Sequence, residues 1–230
     1  MTEQTKLSKN DFIEIEFTGR TSNGDIFDSN IKADLEKIPN YDPKQVKSLI
    51  FALGQDMFLK GVDDFLIGKE FGKTYEINLN PEQAFGARNS KLIQLMPLKL
   101  FQEHKLNPFP GAVFNFDRRI GKVLSVSGGR IMVDFNHPLA GKRVSYNINV
   151  LRKVNDTNEK INAFIDFLFR MPLKFSLDEK NKKLTIEAEK EMKSFIELFK
   201  NKFKEIFDLD LEVIENKPEK LKGKKSQQSL

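Results

Sequence analysis

Twenty-one phenylalanines, two histidines and no cysteine decide most of the chemistry open to this chain. Without cysteine there is no disulfide framework, no thiolate metal site and no sulfur nucleophile. The histidines are His104, between Glu103 and Lys105 in a polar stretch, and His137, which precedes Pro138. Neither has metal-ligand spacing. A surface position suits His104, and a local backbone hydrogen bond accounts for His137. The adjacent carboxylates Asp63 and Asp64 fall in an amphipathic stretch and are expected on its solvated face. No phosphate-cradling glycine loop, HExxH helix or GxSxG elbow occurs. General acid–base, metal and nucleophilic catalysis all lack their residues, so no metal and no cofactor is expected. What remains is an aromatic pattern.

The elements that would carry those rings follow from periodicity. Ile13, Ile15 and Phe17 alternate with Glu14 and Glu16, which is the pattern of a half-buried strand. Gly19 and the Ser22–Asp25 cluster supply turn residues, and a short strand follows at Ile26-Phe27. Residues 31–48, with Pro39 and Pro43, read as a long loop with about one helical turn. Leu49–Gly54 reads as a strand, Phe58–Leu66 as a short amphipathic helix and Lys73–Leu79 as another strand. Gly121–Phe135 is a hairpin around Gly128-Gly129, and Arg143–Val150 alternates as one long strand. Beyond Asp156 come a helix over 158–171, two short strands, a Phe-rich helix over 189–207 and a last strand at 209–214.

At 230 residues, with 39% hydrophobic and 31% charged, the chain is long enough for one large domain or two to three small ones and too apolar for general disorder. No signal-peptide core and no run near the ~20 apolar residues of a membrane span is present, so a cytoplasmic location without membrane contact is expected. The net charge of +5 is uneven. Residues 1–87 hold 10 basic and 15 acidic side chains, whereas residues 88–137 hold 8 and 3. The stretch 88–137 therefore has the surface chemistry of an inserted module. The tail from Lys217, with 5 basic residues and 1 acidic, reads as a disordered end.

Five segments in order, within IEFTGRTSNGDIFDSN, FALGQDMFLKGVDD and NLNPEQAFGAR, resemble the signatures of FKBP-type peptidyl-prolyl isomerases. The stretch ending DFNHPLAG resembles the insert-in-flap chaperone module of SlyD-like members. An added segment at 155–216 is similar in placement to the extra domain of long archaeal members. The resemblance implies an α+β chain: an FKBP-like antiparallel sheet wrapped on a short helix (1–87 and 138–153), a small all-β flap domain (88–137) and a C-terminal α+β module (155–216), followed by the tail 217–230.

Carried onto this sequence, the family's proline pocket falls on Phe17, Phe27, Asp28, Phe58, Leu59, Val62, Phe85 and Tyr146, and the N–H of Leu59 would receive a substrate carbonyl. Phe17 and Phe85 stand where many members have Tyr, and Val62 where many have Trp. Such a pocket needs no catalytic base, in keeping with the missing catalytic residues. The alternative for each Phe is plain core packing, and for Asp28 a strand-end turn.

The insert should hold unfolded, proline-containing chain through an apolar strip drawn from Leu92, Ile93, Leu95, Met96, Leu98, Leu100 and Phe101; those residues would otherwise fill the insert's own core. Two other functions stay open. One is a holdase without catalysis; the other is a ribosome- or nucleic-acid-associated protein, disfavoured because aromatic and basic residues do not interleave. The Phe-rich helix has more apolar face than a small module hides, so homodimerisation through 155–216 is expected.

Overall fold

The computed structural model describes residues 6–39, 41–116 and 119–216. The chain divides into two units, 1–153 and 154–230. The tail from Lys217 lies outside the described residues.

In the first unit the alternating run forms β1 (Phe12–Thr21), which turns through Gly24, at φ +89°, into β2 (Ile26–Ser29). One helical turn, α1 (Lys32–Leu35), interrupts the following loop, and β3 (Leu49–Ala52) then pairs with the first half of β1. The amphipathic helix is α2 (Lys60–Leu66), and β4 (Lys73–Leu79) follows it.

Next comes the insert: β5 (Ile93–Pro97), α3 (Leu98–Glu103), β6 (Val113–Phe116), β7 (Arg119–Ser127) and β8 (Arg130–Asp134). Its strands form an antiparallel sheet in the order β5-β8-β7-β6 around Phe101, Ala112, Val123, Ile131 and Val133. It is a small sheet domain that also carries one helix.

The chain returns as β9 (Val144–Lys153), which enters between β1 and β4 and pairs antiparallel with both. The strand most distant in sequence thus closes the sheet β2-β1-β9-β4. Ile13, Ile15, Phe17, Ile77, Leu79, Tyr146, Ile148 and Val150 point to one face and are buried, as are Val62 and Leu66 of α2. Gly61 permits that closeness, since a Cβ there would stand 2.6 Å from Leu79 and 2.8 Å from the Gln83 carbonyl.

The second unit contains α4 (Thr157–Phe169), β10 (Lys174–Asp178), β11 (Lys183–Ala188), α5 (Lys190–Glu197), α6 (Lys200–Phe207) and β12 (Asp210–Glu215). Asp156 caps α4 by accepting the Glu159 N–H at 2.7 Å, and Arg170, at φ +56°, ends it. Strands β10 and β11 form a hairpin, and β12 joins β11 in parallel after the crossover through α5 and α6. The single helix expected over 189–207 is broken at Leu198-Phe199. The break lets Phe195 and Phe199 pack on Phe169 while Phe203 and Phe207 pack on Phe164. Among the described residues no helix is long and apolar enough to cross a membrane.

Candidate active site

The segment Phe27-Asp28-Ser29-Asn30 is held on β1 by hydrogen bonds that account for its composition. Asn30 Oδ1 accepts the Phe17 N–H at 2.7 Å, Ser29 Oγ donates to the Phe17 carbonyl at 2.8 Å, and Asn30 Nδ2 donates to the Ile15 carbonyl at 3.0 Å. Ser29 and Asn30 are both buried, so these bonds form away from competing water. Between β1 and β2 the register slips: Gly19 faces Asp28 but Arg20 faces Ile26. Phe27 is the extra residue of this bulge, a device that re-aims a side chain.

Gly19 sits inside β1 and is not the turn residue its sequence context suggests. Its role is spatial. A Cβ there would stand 2.8 Å from Phe27 Cζ and 3.0 Å from Tyr146, so the two rings meet across the strand only because Gly19 has no side chain.

The expected pocket residues are brought together. Tyr146 lies 5.9 Å from Phe17, 5.7 Å from Phe27 and 5.7 Å from Phe58, ring centre to ring centre. Phe17 and Phe58 are 5.0 Å apart, and Phe85 meets Phe27 edge-on at 5.7 Å. Phe17, Val62 and Tyr146 are sealed from solvent, while Phe27, Asp28, Phe58, Leu59 and Phe85 are half-buried around them. The arrangement is a closed apolar floor with an open aromatic rim. Phe51, which sequence reasoning missed, is fully buried behind Phe58 at 5.5 Å. A separate recess of about 480 Å³, lined by Arg20, Asn78, Leu79, Arg143, Val144 and Ser145 among others, includes none of these rings.

Leu59 precedes α2, and its carbonyl accepts the N–H groups of Val62 and Asp63 at 2.9 and 3.1 Å. Its own N–H has no acceptor among the described residues. Two ionisable groups border the rings. Burial pushes the Asp28 carboxyl up to about 6, partly opposed by the Ser29 N–H, and burial with the Asp28 charge pushes the Tyr146 phenol up, keeping it neutral.

The sequence profile of FKBP-type peptidyl-prolyl cis-trans isomerases matches residues 3–99, and that of an insert described as the FKBP26 IF domain matches residues 94–139. The chain is 34% identical over 110 residues to the FKBP-type 16 kDa peptidyl-prolyl cis-trans isomerase of Escherichia coli K12, covering 46% of this chain and 73% of that protein. It belongs to the FKBP-type peptidyl-prolyl cis-trans isomerases. Also similar are the short-type isomerase of Methanocaldococcus jannaschii, 26% identical over 63% of this chain and 92% of that one, and the isomerase SlyD of Haemophilus influenzae, 29% identical over 68% and 77%. As an FKBP-type isomerase the protein acts on proline-containing polypeptides.

The FKBP insert divides the expected client residues. Leu95 is 55% exposed, and Leu92 and Ile93 are half-exposed. Met96, Leu98 and Leu100 are half-buried and pack on the insert core, and Phe101 is part of that core at 1% exposure. The Phe101 expectation is corrected: α3 turns its ring inward onto Phe114 and Phe116 at 5.7 and 5.6 Å. Asp63 is a second correction. It is 2% exposed, accepts the Gly54 N–H at 3.0 Å through Oδ2, and has no partner for Oδ1. Burial, with Asp56 and Asp64 nearby, pushes it up to about 6. Its bond to Gly54 ties α2 to the segment that leads into Phe58-Leu59, which takes this side chain off the solvated face. Among the described residues no group of three or more acidic or histidine side chains could hold a metal.

Proposed function

We propose that this FKBP-type isomerase seats the substrate prolyl ring on Phe27, Phe58, Leu59 and Phe85, above the floor of Phe17, Val62 and Tyr146. The observation that carries this reading is the half-buried aromatic rim over a sealed floor, next to the unengaged Leu59 N–H. An X–Pro bond resists rotation by about 18–20 kcal/mol because amide resonance places partial charges on oxygen and nitrogen. Water stabilises those charges. An apolar seat removes that help from the planar amide, and a fixed N–H can hold the carbonyl as the bond twists, which amounts to differential binding of the transition state. No proton moves and no covalent bond forms, so Asp28 acts through its field and not as a base.

The same reading gives the insert, 88–137, a client surface on the outer face of its sheet. Leu95 and Met132 are paired in register there, and Val113 and Ile120 lie diagonally across β6 and β7, all exposed. The module 155–216 is proposed to pair with a second copy through Phe195 and Leu198, the latter 76% exposed. Two copies would offer one client two seats.

The test is exchange spectroscopy on a short X–Pro peptide, with the whole chain and with 88–137 replaced by a short linker. Peptide isomerisation should survive the replacement, while catalysed refolding of a proline-limited protein should slow. Equal loss in both assays would reject the division of labour. Light scattering on the full chain and on one ending at Asp156 tests the pairing; a monomer in both cases removes it.

A further inference from the structure

His137 lies flat on Phe85. The ring centres are 4.6 Å apart and the planes 3° from parallel, whereas the other ring pairs of the pocket are tilted or edge-on at 5.0–5.9 Å. Phe85 is thereby held on two sides, by the face of His137 and by Phe27. The imidazole is fixed in turn, because its Nδ1 accepts the Leu139 N–H at 3.2 Å, which leaves the neutral ring's proton on Nε2.

The backbone that carries His137 is the segment that returns from the insert after β8, and it is stitched to the outgoing segment just beyond Phe85. Asn136 Oδ1 accepts the Asn89 N–H at 2.8 Å, Asn136 Nδ2 donates to the Asn89 carbonyl at 2.9 Å, and Arg88 Nη2 meets Asp134 Oδ2 at 2.6 Å. Gly141 N–H donates to the Gly86 carbonyl at 2.8 Å. Both crossings of the chain are thus clamped close to Phe85, a rim residue that lies on no strand of the main sheet.

We propose that His137 is a positioning residue of the prolyl seat: its imidazole face sets the orientation of the Phe85 ring, so a side chain supplied by the segment returning from the insert helps shape the isomerase site. This rests on the seat proposed above. Offset or parallel ring stacking restricts a half-exposed phenyl ring that would otherwise rotate freely about its χ angles.

Three substitutions separate the stack from the local turn. His137→Phe keeps a flat ring and loses the Nδ1 acceptor; His137→Asn keeps an acceptor for the Leu139 N–H and loses the ring; His137→Ala loses both. Each full-length variant is assayed on a short X–Pro peptide for kcat and KM, with Phe85 ring proton shifts followed by NMR and Phe27→Ala as a control on the seat. The expected result is a several-fold fall in kcat/KM for His137→Ala and His137→Asn, mostly in KM, a downfield move of the Phe85 protons as the imidazole ring current is lost, and recovery of at least half the wild-type value in His137→Phe. Recovery in His137→Asn but not in His137→Phe would assign the effect to the turn and overturn the proposal, as would equal loss in all three. Wild-type activity in His137→Ala beside a weakened Phe27→Ala overturns it alone, and full activity in Phe27→Ala overturns the seat and this inference together.

Discussion

Gly19 lies directly beneath Phe27, and a Cβ at that position would stand 2.8 Å from the far carbon of the ring. Phe27 is the bulged residue of β2, and Tyr146, 3.0 Å from the same point, is fixed in the central strand. Gly19→Ala is therefore expected to push both rings outward. Overpacking of this kind costs about 1–3 kcal/mol of stability, and misplacing rim groups by an ångström lowers kcat/KM on a short X–Pro peptide by on the order of tenfold or more. Urea denaturation and peptide exchange rates check the two parts separately.

Asp63 gives a stability prediction with a definite sign. Its folded-state value of about 6 lies above the ordinary 3.8, so between those limits the folded chain binds more protons than the unfolded one. The charged carboxylate then opposes folding at neutral pH, and stability rises as pH is lowered from 7 toward 4. The span for this group is at most on the order of 3 kcal/mol. Asp63→Asn keeps an oxygen for the Gly54 N–H and removes the charge, so it should be at least as stable as the parent at pH 7.5 and show a flatter profile. Asp63→Ala, which also loses that bond, should be less stable than Asp63→Asn at every pH. Denaturation at pH 4.5, 6 and 7.5 decides.

Asp28 should appear in catalysis. A prolyl ring seated against it covers a carboxylate that is charged above about pH 6 and neutral below, and covering a charge is the more costly. KM for a short X–Pro peptide is expected to rise as pH passes upward through 6. Asp28→Asn should abolish that step, leaving KM near the low-pH value throughout. A step of equal size in the variant would assign it elsewhere.

The insert separates surface from core. Replacing Leu95 and Met132 by Ser, both exposed and paired in register, is expected to reduce suppression of client aggregation without changing peptide isomerisation or the melting temperature. Phe101→Ser should instead destabilise the insert by about 3–5 kcal/mol, because it removes a fully buried ring. Aggregation assays beside calorimetry distinguish the two.

Much of this was legible in the residues. Alternation of Ile13, Ile15 and Phe17 with glutamates defines β1 because a strand side chain has only two faces to choose from. Spacing placed α2, and the order of motifs named the candidate pocket residues. Periodicity is local, however, and it misjudged residues whose environment is made by distant chain. Asp63 looks solvated from its helix alone; Gly54, nine residues earlier, buries it. Phe101 looks like part of an exposed strip; a short helix turns it onto β6.

The sequence by itself determined most of the strands and helices and which aromatic residues are candidates for a prolyl seat. Only the tertiary structure decided how those residues meet: that β9 enters between β1 and β4, that a bulge over Gly19 aims Phe27, and that His137 lies on Phe85. The reason is that alternation and helical spacing record which side of an element avoids water, whereas register and ring stacking depend on pairings between segments far apart in the chain, which no local pattern encodes.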